Sequence, residues 1–215
     1  MVSNIHTHMK VMKFGGSSVG TPEGLQLVKR IIEKEKEPVI VVVSALGGVT
    51  DRLLLAASFA QNGNSSYKNI LDEIILKHEN IIENSIEETT YKRELIESTQ
   101  LLFEDLRNIL RGVFLIGDLS QKTSDKIVSY GERLSSQIIS KLIEGAQLYD
   151  PTTFIKTNKH FDHHIPDLNK SNELIQNTFA KTPIESVAIV PGFISSSNEG
   201  NDITKLGRGG SDYTA

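Results

Sequence analysis

Residues 10–20 read KVMKFGGSSVG, a short strand-like stretch that carries a lysine near its end and breaks into closely spaced glycines. A helical pattern follows at once, because Thr21 can cap a helix, Pro22 suits its first position, and Leu25, Val28, Ile31 and Ile32 recur on one face. The segment therefore predicts a strand over residues 11–14, a glycine turn and a helix. Glycines placed there let backbone N–H groups approach a ligand closely, which suits phosphate oxygens.

The same unit occurs again further along the chain. Residues 39–44, VIVVVS, form an apolar β-branched run that is typical of a strand buried on both faces, and ALGGVTDRLLLAASFA supplies the next turn and helix. Residues 186–195, SVAIVPGFIS, predict a further strand and turn. These units predict an α/β fold whose mostly parallel sheet is sandwiched between helices, with ligands gathered at the carboxyl ends of the strands.

The middle of the chain has a different pattern. Residues 64–125 are largely charged, with Ile and Leu at helical spacing, and predict a helical insertion or lid. The segment that follows, SDKIVSYGERLSSQIISKLIEGA, predicts one long helix. Its buried stripe is expected to consist of Ile127, Tyr130, Leu134, Ile138 and Leu142.

Composition excludes several classes of function. The 215 residues carry 23 basic and 27 acidic side chains, a net charge of −4, so we expect neither a nucleic-acid partner nor an anionic membrane partner. There is no Cys, which excludes disulfides and thiolate metal sites. No apolar run approaches the roughly 20 residues of a spanning helix, and no signal peptide is evident, so we expect a cytoplasmic protein. Residues 1–8 are expected to be a flexible extension or a cloning remnant.

Two patterns leave alternatives open. The first glycine turn matches neither G-x-x-x-x-G-K-[ST] nor G-x-G-x-x-G, so on its own it could equally be a β–α turn without a ligand. Its Lys13 could likewise be an exposed lysine at a strand edge. Residues 160–164, HFDHH, lack a metal-ligand spacing signature, and we predict a polar loop there and no metal site.

Five segments together indicate a family. KFGGSSV, VVSALGGVTD, SYGERLS, VPGF and LGRGGSDYTA resemble, in this order, segments of the aspartokinases in the amino-acid kinase family. The resemblance implies an aspartate kinase that uses ATP and Mg²⁺ to phosphorylate the side-chain carboxylate of L-aspartate. The product would be 4-phospho-L-aspartate, at the head of lysine, threonine and methionine synthesis. The resemblance also implies a homo-oligomeric parent protein.

The resemblance assigns one group of residues to the phosphate. Lys13, Gly15, Gly16 and Ser17 match the family's nucleotide phosphate loop, although Ser17 stands where the family often has threonine. Lys13 and Asp212 are the expected catalytic pair, with Asp212 organising the metal-nucleotide and Lys13. Asp212 could also serve as a helix cap. Because the attacking carboxylate is already an anion, no general base is required.

The resemblance assigns a second group to aspartate. Glu132 is expected to hold the substrate ammonium and Arg208 a substrate carboxylate, both by charge-assisted contacts. Taken from the residues alone, Glu132 could instead be a solvated helical carboxylate, and Ser or Thr at a turn is ordinary. The substrate-binding set is Ser44, Thr50, Glu132, Phe193, Arg208 and Ser211.

The resemblance also bears on completeness. Aspartokinases continue past GGSDYTA with the rest of the nucleotide-binding segment and with ACT regulatory domains. Residues 9–215 are therefore expected to be the N-terminal part of an amino-acid kinase domain, incomplete at the C-terminus, and inactive as a fragment. A binding fragment without turnover is the alternative, as is a related kinase acting on glutamate, acetylglutamate, carbamate or a nucleoside monophosphate. The feedback inhibitor and any fusion to homoserine dehydrogenase stay open.

Overall fold

The predicted β–turn–α units form a parallel sheet. A computed structural model describes residues 9–87, 90–160, 163–180, 187–200, 202–206 and 210–215. Strand β1 (Lys10–Phe14) pairs in parallel with β2 (Val39–Val43), which pairs in parallel with β6 (Val187–Pro191). The short β3 (Gln147–Leu148) completes the four-stranded order β1-β2-β6-β3. The predicted α/β class is confirmed.

Helices pack against this sheet. The turn after β1 contains the short α1 (Gly16–Val19), and α2 (Pro22–Ile32) begins where the sequence predicted, with the Thr21 hydroxyl accepting a hydrogen bond from the Gly24 N–H at 3.1 Å. Ile31, predicted on the buried face, is exposed, because at 100° per residue it lies well off the stripe of the other three apolar residues. The other helices are α3 (Val49–Gln61), α4 (Tyr67–Ser85), α5 (Thr90–Ile116), α6 (Gln121–Leu142), α7 (Leu168–Phe179) and α8 (Gly210–Thr214).

The largest core lies between the sheet and helices α2 to α6. All five residues of the predicted stripe on α6 are buried there. Residues 64–125 supply α4, α5 and the start of α6, and α4 and α5 pack on α3 and on each other. In the part of the chain that the structure describes, no helix is long and apolar enough to cross a membrane.

A second sheet lies beyond the first and was only partly expected. Its strands β4 (Lys156–His160), β5 (His163–Pro166), β7 (Ile194–Ser197) and β8 (Ile203–Lys205) run in the order β5-β4-β7-β8. The polar loop predicted at residues 160–164 is wrong for His160, His163 and His164, since these residues belong to β4 and β5, which pair antiparallel. Residues 161 and 162 lie outside the described residues. These strands lack an apolar run because their buried side is hydroxylated. The Thr204 Oγ1 atom lies 3.0 Å from the Thr157 Oγ1 atom and 2.8 Å from the Ser195 Oγ atom.

His78 on α4 is a buried titratable group in the helical region. Its Nδ1 atom lies 2.7 Å from the Ile74 carbonyl oxygen, and its ring meets the Phe103 ring edge-on at 5.5 Å. Its Nε2 atom is buried without a hydrogen-bond partner among the described residues. Burial lowers the pKa of His78 from 6.5 to about 4.

We expect His78 to make the chain acid-labile. As the pH falls below about 6.5, the unfolded chain takes up a proton on this imidazole while the folded chain does not, so stability declines until about pH 4. Urea unfolding at about pH 7.5 and about pH 5 should show that wild type loses about 2 kcal/mol more than His78→Gln between the two conditions. Equal losses in the two proteins would contradict a buried neutral imidazole.

Candidate active site

The carboxyl ends of three parallel strands meet at one edge of the sheet. The Ser44 N–H, just past β2, donates to the Phe14 carbonyl at 3.1 Å, and the Gly192 N–H, just past β6, donates to the Val43 carbonyl at 2.8 Å. The turns that follow β1, β2 and β6 are thereby held side by side. This is the edge at which ligands were expected.

Two glycine turns contact each other there through their backbones. The Gly47 N–H donates to the Gly16 carbonyl at 3.0 Å. A Cβ atom on Gly16 would lie only 2.8 Å from the Ala45 carbonyl oxygen and 3.2 Å from the Gly47 Cα atom. The bare backbone in KFGGSSV is therefore needed for the contact between the two turns. Ser17 is exposed within α1, beside this contact.

Lys13 and Asp212 form an ion pair at the same edge. The Lys13 Nζ atom lies 2.8 Å from the Asp212 Oδ1 atom, and the two side chains are 33% and 69% exposed. Asp212 lies inside the first turn of α8. The pair therefore joins the end of β1 to α8 and keeps both charges open to solvent.

Ser44 and Ser211 contact each other next to this pair. Their Oγ atoms are 3.0 Å apart, and a Cβ atom on Gly192 would lie 2.7 Å from the Ser211 Oγ atom. The Ser135 hydroxyl of α6 donates to the Ser44 carbonyl at 2.8 Å. Four segments that are distant in the sequence are thus joined around Ser44 and Ser211.

Glu132 on α6 is buried. The solvated carboxylate that the sequence also allowed is therefore not what the structure has. The residue is 4% exposed, and its Oε1 atom accepts a hydrogen bond from the Ala45 N–H at 3.2 Å. Its Oε2 atom is buried and has no hydrogen-bond partner among the described residues. Burial raises the pKa of Glu132 from 4.5 to about 7, although the hydrogen bond from Ala45 acts in the opposite direction. A cation or hydrogen-bond donor at Oε2 would relieve this desolvation.

Phe193 has the strained backbone of the site. Its φ of 68° lies in the left-handed region, which residues other than glycine seldom adopt. Hydrogen bonds hold it there, because its N–H donates to the Thr214 Oγ1 atom at 3.2 Å and its carbonyl accepts from the Leu206 N–H at 3.0 Å. Phe193 therefore links the second sheet to α8.

Two other predicted residues are not part of this set of contacts. Thr50 lies half-buried in the first turn of α3, and its hydroxyl makes no hydrogen bond within the described part of the chain. Arg208 lies outside the described residues. The contacts described above therefore join Lys13, Ser44, Glu132, Phe193, Ser211 and Asp212 through direct bonds or shared neighbours.

Sequence reasoning missed two residues that support the turns. Ser135 was detectable, because it follows Glu132 by three residues and so lies on the same face of α6. Lys77 was not, since it comes from the helical insertion. Its Nζ atom donates to the Gly47 carbonyl at 2.8 Å. The insertion therefore contacts the second glycine turn directly.

Comparison with known proteins gives a family. The model of the amino acid kinase family matches residues 8–215. Aspartokinase 1 of Arabidopsis thaliana chloroplasts is 33% identical over 218 residues, which cover 95% of this chain and 37% of that protein. Lysine-sensitive aspartokinase 3 of Escherichia coli is 31% identical over 209 residues, which cover 95% of this chain and 44% of that protein.

Solved structures agree with the sequence matches. Escherichia coli aspartokinase III, in complex with aspartate and ADP, superposes with a TM-score of 0.84 at 29% identity, over 97% of this chain and 45% of that one. Clostridium acetobutylicum aspartate kinase gives a TM-score of 0.75 at 26% identity, over 95% of this chain and 43% of that one. The chain thus spans less than half the length of these relatives.

The contact between the turns predicts unequal effects of alanine at adjacent glycines. Gly16→Ala should destabilise the chain by roughly 1–3 kcal/mol, because its Cβ atom would press on backbone that cannot move freely. Gly15→Ala is the matched control, since its Cβ atom would meet only the flexible end of Lys13, at 3.9 Å. Urea unfolding of both variants measures the difference. Equal stability of the two would mean that the turns do not depend on a bare Gly16.

Proposed function

Because the chain belongs to the amino acid kinase family, we propose that it forms the acceptor side of an aspartate kinase. Its substrate would be L-aspartate and its product 4-phospho-L-aspartate, made in the cytoplasm as the first step toward lysine, threonine and methionine. The observation that carries the proposal is the unpaired, buried oxygen of Glu132. An α-amino acid brings the ammonium group that this oxygen lacks.

Glu132 favours some acceptors over others. Acetylglutamate and carbamate have no free ammonium group and would leave its Oε2 atom unpaired, at a desolvation penalty. Glutamate has the ammonium group but a longer side chain. The structure of Escherichia coli aspartokinase III contains aspartate. We therefore assign the shorter amino acid, aspartate, as the acceptor of this chain. We further propose that Arg208 pairs with a substrate carboxylate and that Ser44, Thr50, Phe193 and Ser211 line the pocket.

The reaction needs positioning and charge neutralisation. A side-chain carboxylate oxygen of aspartate forms a bond to the γ-phosphorus of ATP while the bond to the bridging oxygen breaks, and ADP leaves. Lys13 would stabilise the charge that develops on the transferring group, held in place by Asp212 at 2.8 Å. The turn at Gly15, Gly16 and Ser17 would offer backbone N–H groups to the phosphates.

Mg²⁺ is the expected metal cofactor of this reaction. When bound with ATP, it would neutralise charge on the phosphate oxygens. Asp212 fits it, because hard cations prefer carboxylate oxygens and this exposed carboxylate has one oxygen on Lys13 and the other available. Glu132 does not fit it, since its carboxylate is buried and readily protonated. The metal would therefore lie on the solvent side of the site.

The first test is binding of L-aspartate to the 215-residue chain by isothermal titration calorimetry. Glu132→Gln should weaken binding by at least about tenfold, because it removes the anion that pairs with the ammonium. In wild type, affinity should fall as the pH drops below about 7, approaching tenfold per pH unit, because binding then requires Glu132 to lose a proton. The variant should show no such dependence.

The controls for this test separate function from folding. Glu144→Gln, at an exposed glutamate just beyond the C-terminal end of α6, should bind like wild type. At about pH 8 Glu132→Gln should unfold at no lower urea concentration than wild type, because it no longer buries a charge. Wild-type affinity in Glu132→Gln, or an affinity independent of pH, would remove Glu132 from the acceptor site.

The second test is turnover. We expect the 215-residue chain to bind L-aspartate but to release no appreciable ADP in a coupled assay with ATP and Mg²⁺. Transfer depends on holding donor, metal and acceptor together, and the relatives contain long regions that this chain does not match. Escherichia coli lysine-sensitive aspartokinase 3 is the positive control. Aspartate-dependent turnover within about tenfold of that enzyme would mean that this chain holds the whole nucleotide.

A further inference from the structure

A second buried carboxylate lies on α6, outside the site described above. Asp125 precedes Glu132 by seven residues, about two turns, so both lie on one face of the helix. Asp125 is 4% exposed. Its Oδ1 atom accepts hydrogen bonds from the Gln121 Nε2 atom at 2.6 Å and the Lys205 Nζ atom at 3.1 Å. A buried carboxylate with these partners is satisfied and therefore has a defined position.

Its partner Lys205 leads into the acceptor site. Lys205 is the last residue of β8, and the next residue, Leu206, donates its N–H to the Phe193 carbonyl at 3.0 Å. A few residues later the chain reaches Ser211 and Asp212. The ion pair thus joins the helix that carries Glu132 to the strand that leads to the residues facing Lys13.

A second ion pair between α6 and the β8 region offers an internal comparison. The Lys122 Nζ atom lies 2.6 Å from the Oδ1 atom of Asp202, the residue just before β8, but the two side chains are 68% and 43% exposed. Exposed ion pairs contribute little to stability. Removing the cation from a buried carboxylate leaves an uncompensated charge, which is strongly unfavourable. In the Asp125–Lys205 pair the carboxylate side chain is only 4% exposed, and the Lys205 side chain is 31% exposed. Of these two pairs, it is therefore the one better able to fix β8 against α6.

We propose that Asp125 and Lys205 are positioning residues that set the span of the acceptor pocket. The span runs from Glu132, the proposed ammonium partner, to the Lys13–Asp212 pair, where the acceptor carboxylate would react. The inference rests on the proposed function. A fixed span selects acceptors by side-chain length, so the pair discriminates L-aspartate from L-glutamate, which is one methylene longer.

Binding by calorimetry tests the proposal on the 215-residue chain. Lys205→Met should weaken L-aspartate binding about tenfold but L-glutamate binding much less, so that the ratio of the two affinities falls. Asp125→Asn should act in the same direction. The double variant should bind no worse than Lys205→Met alone, since both changes remove one contact. Lys205→Arg keeps the charge and should retain most of the discrimination, and Lys122→Met, which breaks the exposed pair, should match wild type.

A second measurement needs no ligand and guards against a variant that is merely unstable. Amide hydrogen exchange at Leu206 and across residues 210–214 should be faster in Lys205→Met than in wild type, and unchanged in Lys122→Met. Exchange in β1 and β2 should be the same in all three folded proteins. Unchanged exchange near Leu206, or an unchanged affinity ratio in folded Lys205→Met, would overturn the positioning role. Wild type that binds neither amino acid would instead overturn the proposed function.

Discussion

The burial of the Glu132 carboxylate against the backbone of Ala45 is the constraint on which the rest of the site depends. It requires α6 to approach the turn after β2 very closely. Gly131 permits this approach, because a Cβ atom there would lie 2.8 Å from the Ala45 Cβ atom. The approach also lets Ser135 reach the Ser44 carbonyl. A helix with a larger residue before Glu132 would have to move away, and its carboxylate would become hydrated.

The site divides its charges by exposure. Glu132 is buried, and in our proposal it therefore discriminates strongly between a partner with an ammonium group and one without. Lys13 and Asp212 face solvent, where charges can rearrange at small free-energy differences, as the proposed arrival and departure of phosphate and metal would require. In our proposal, recognition of the acceptor therefore lies deep in the site and phosphoryl transfer at its mouth.

Regular patterns made much of the fold predictable. Continuous β-branched residues identified β2, and the Thr21-Pro22 pair located the start of α2. The antiparallel pairing of β4 with β5 was not predictable, because Thr157, the buried residue of β4, carries a hydroxyl group and contacts Thr204 on β8, which is distant in the sequence. The candidate residues came from the resemblance. Their contacts, above all the unpaired oxygen of Glu132, depend on the distance between α6 and the Ala45 turn, which local sequence patterns do not encode.

A ¹³C NMR titration of the Glu132 side-chain carboxyl tests the central claim most directly. Glutamate-labelled chain would be titrated with and without saturating L-aspartate, and the resonance assigned by its loss in Glu132→Gln. Our account predicts a pKa of about 7 in the free chain and a pKa below the ordinary 4.5 when the ammonium group is bound. A free-chain pKa near 4.5, or one that L-aspartate leaves unchanged, would contradict it.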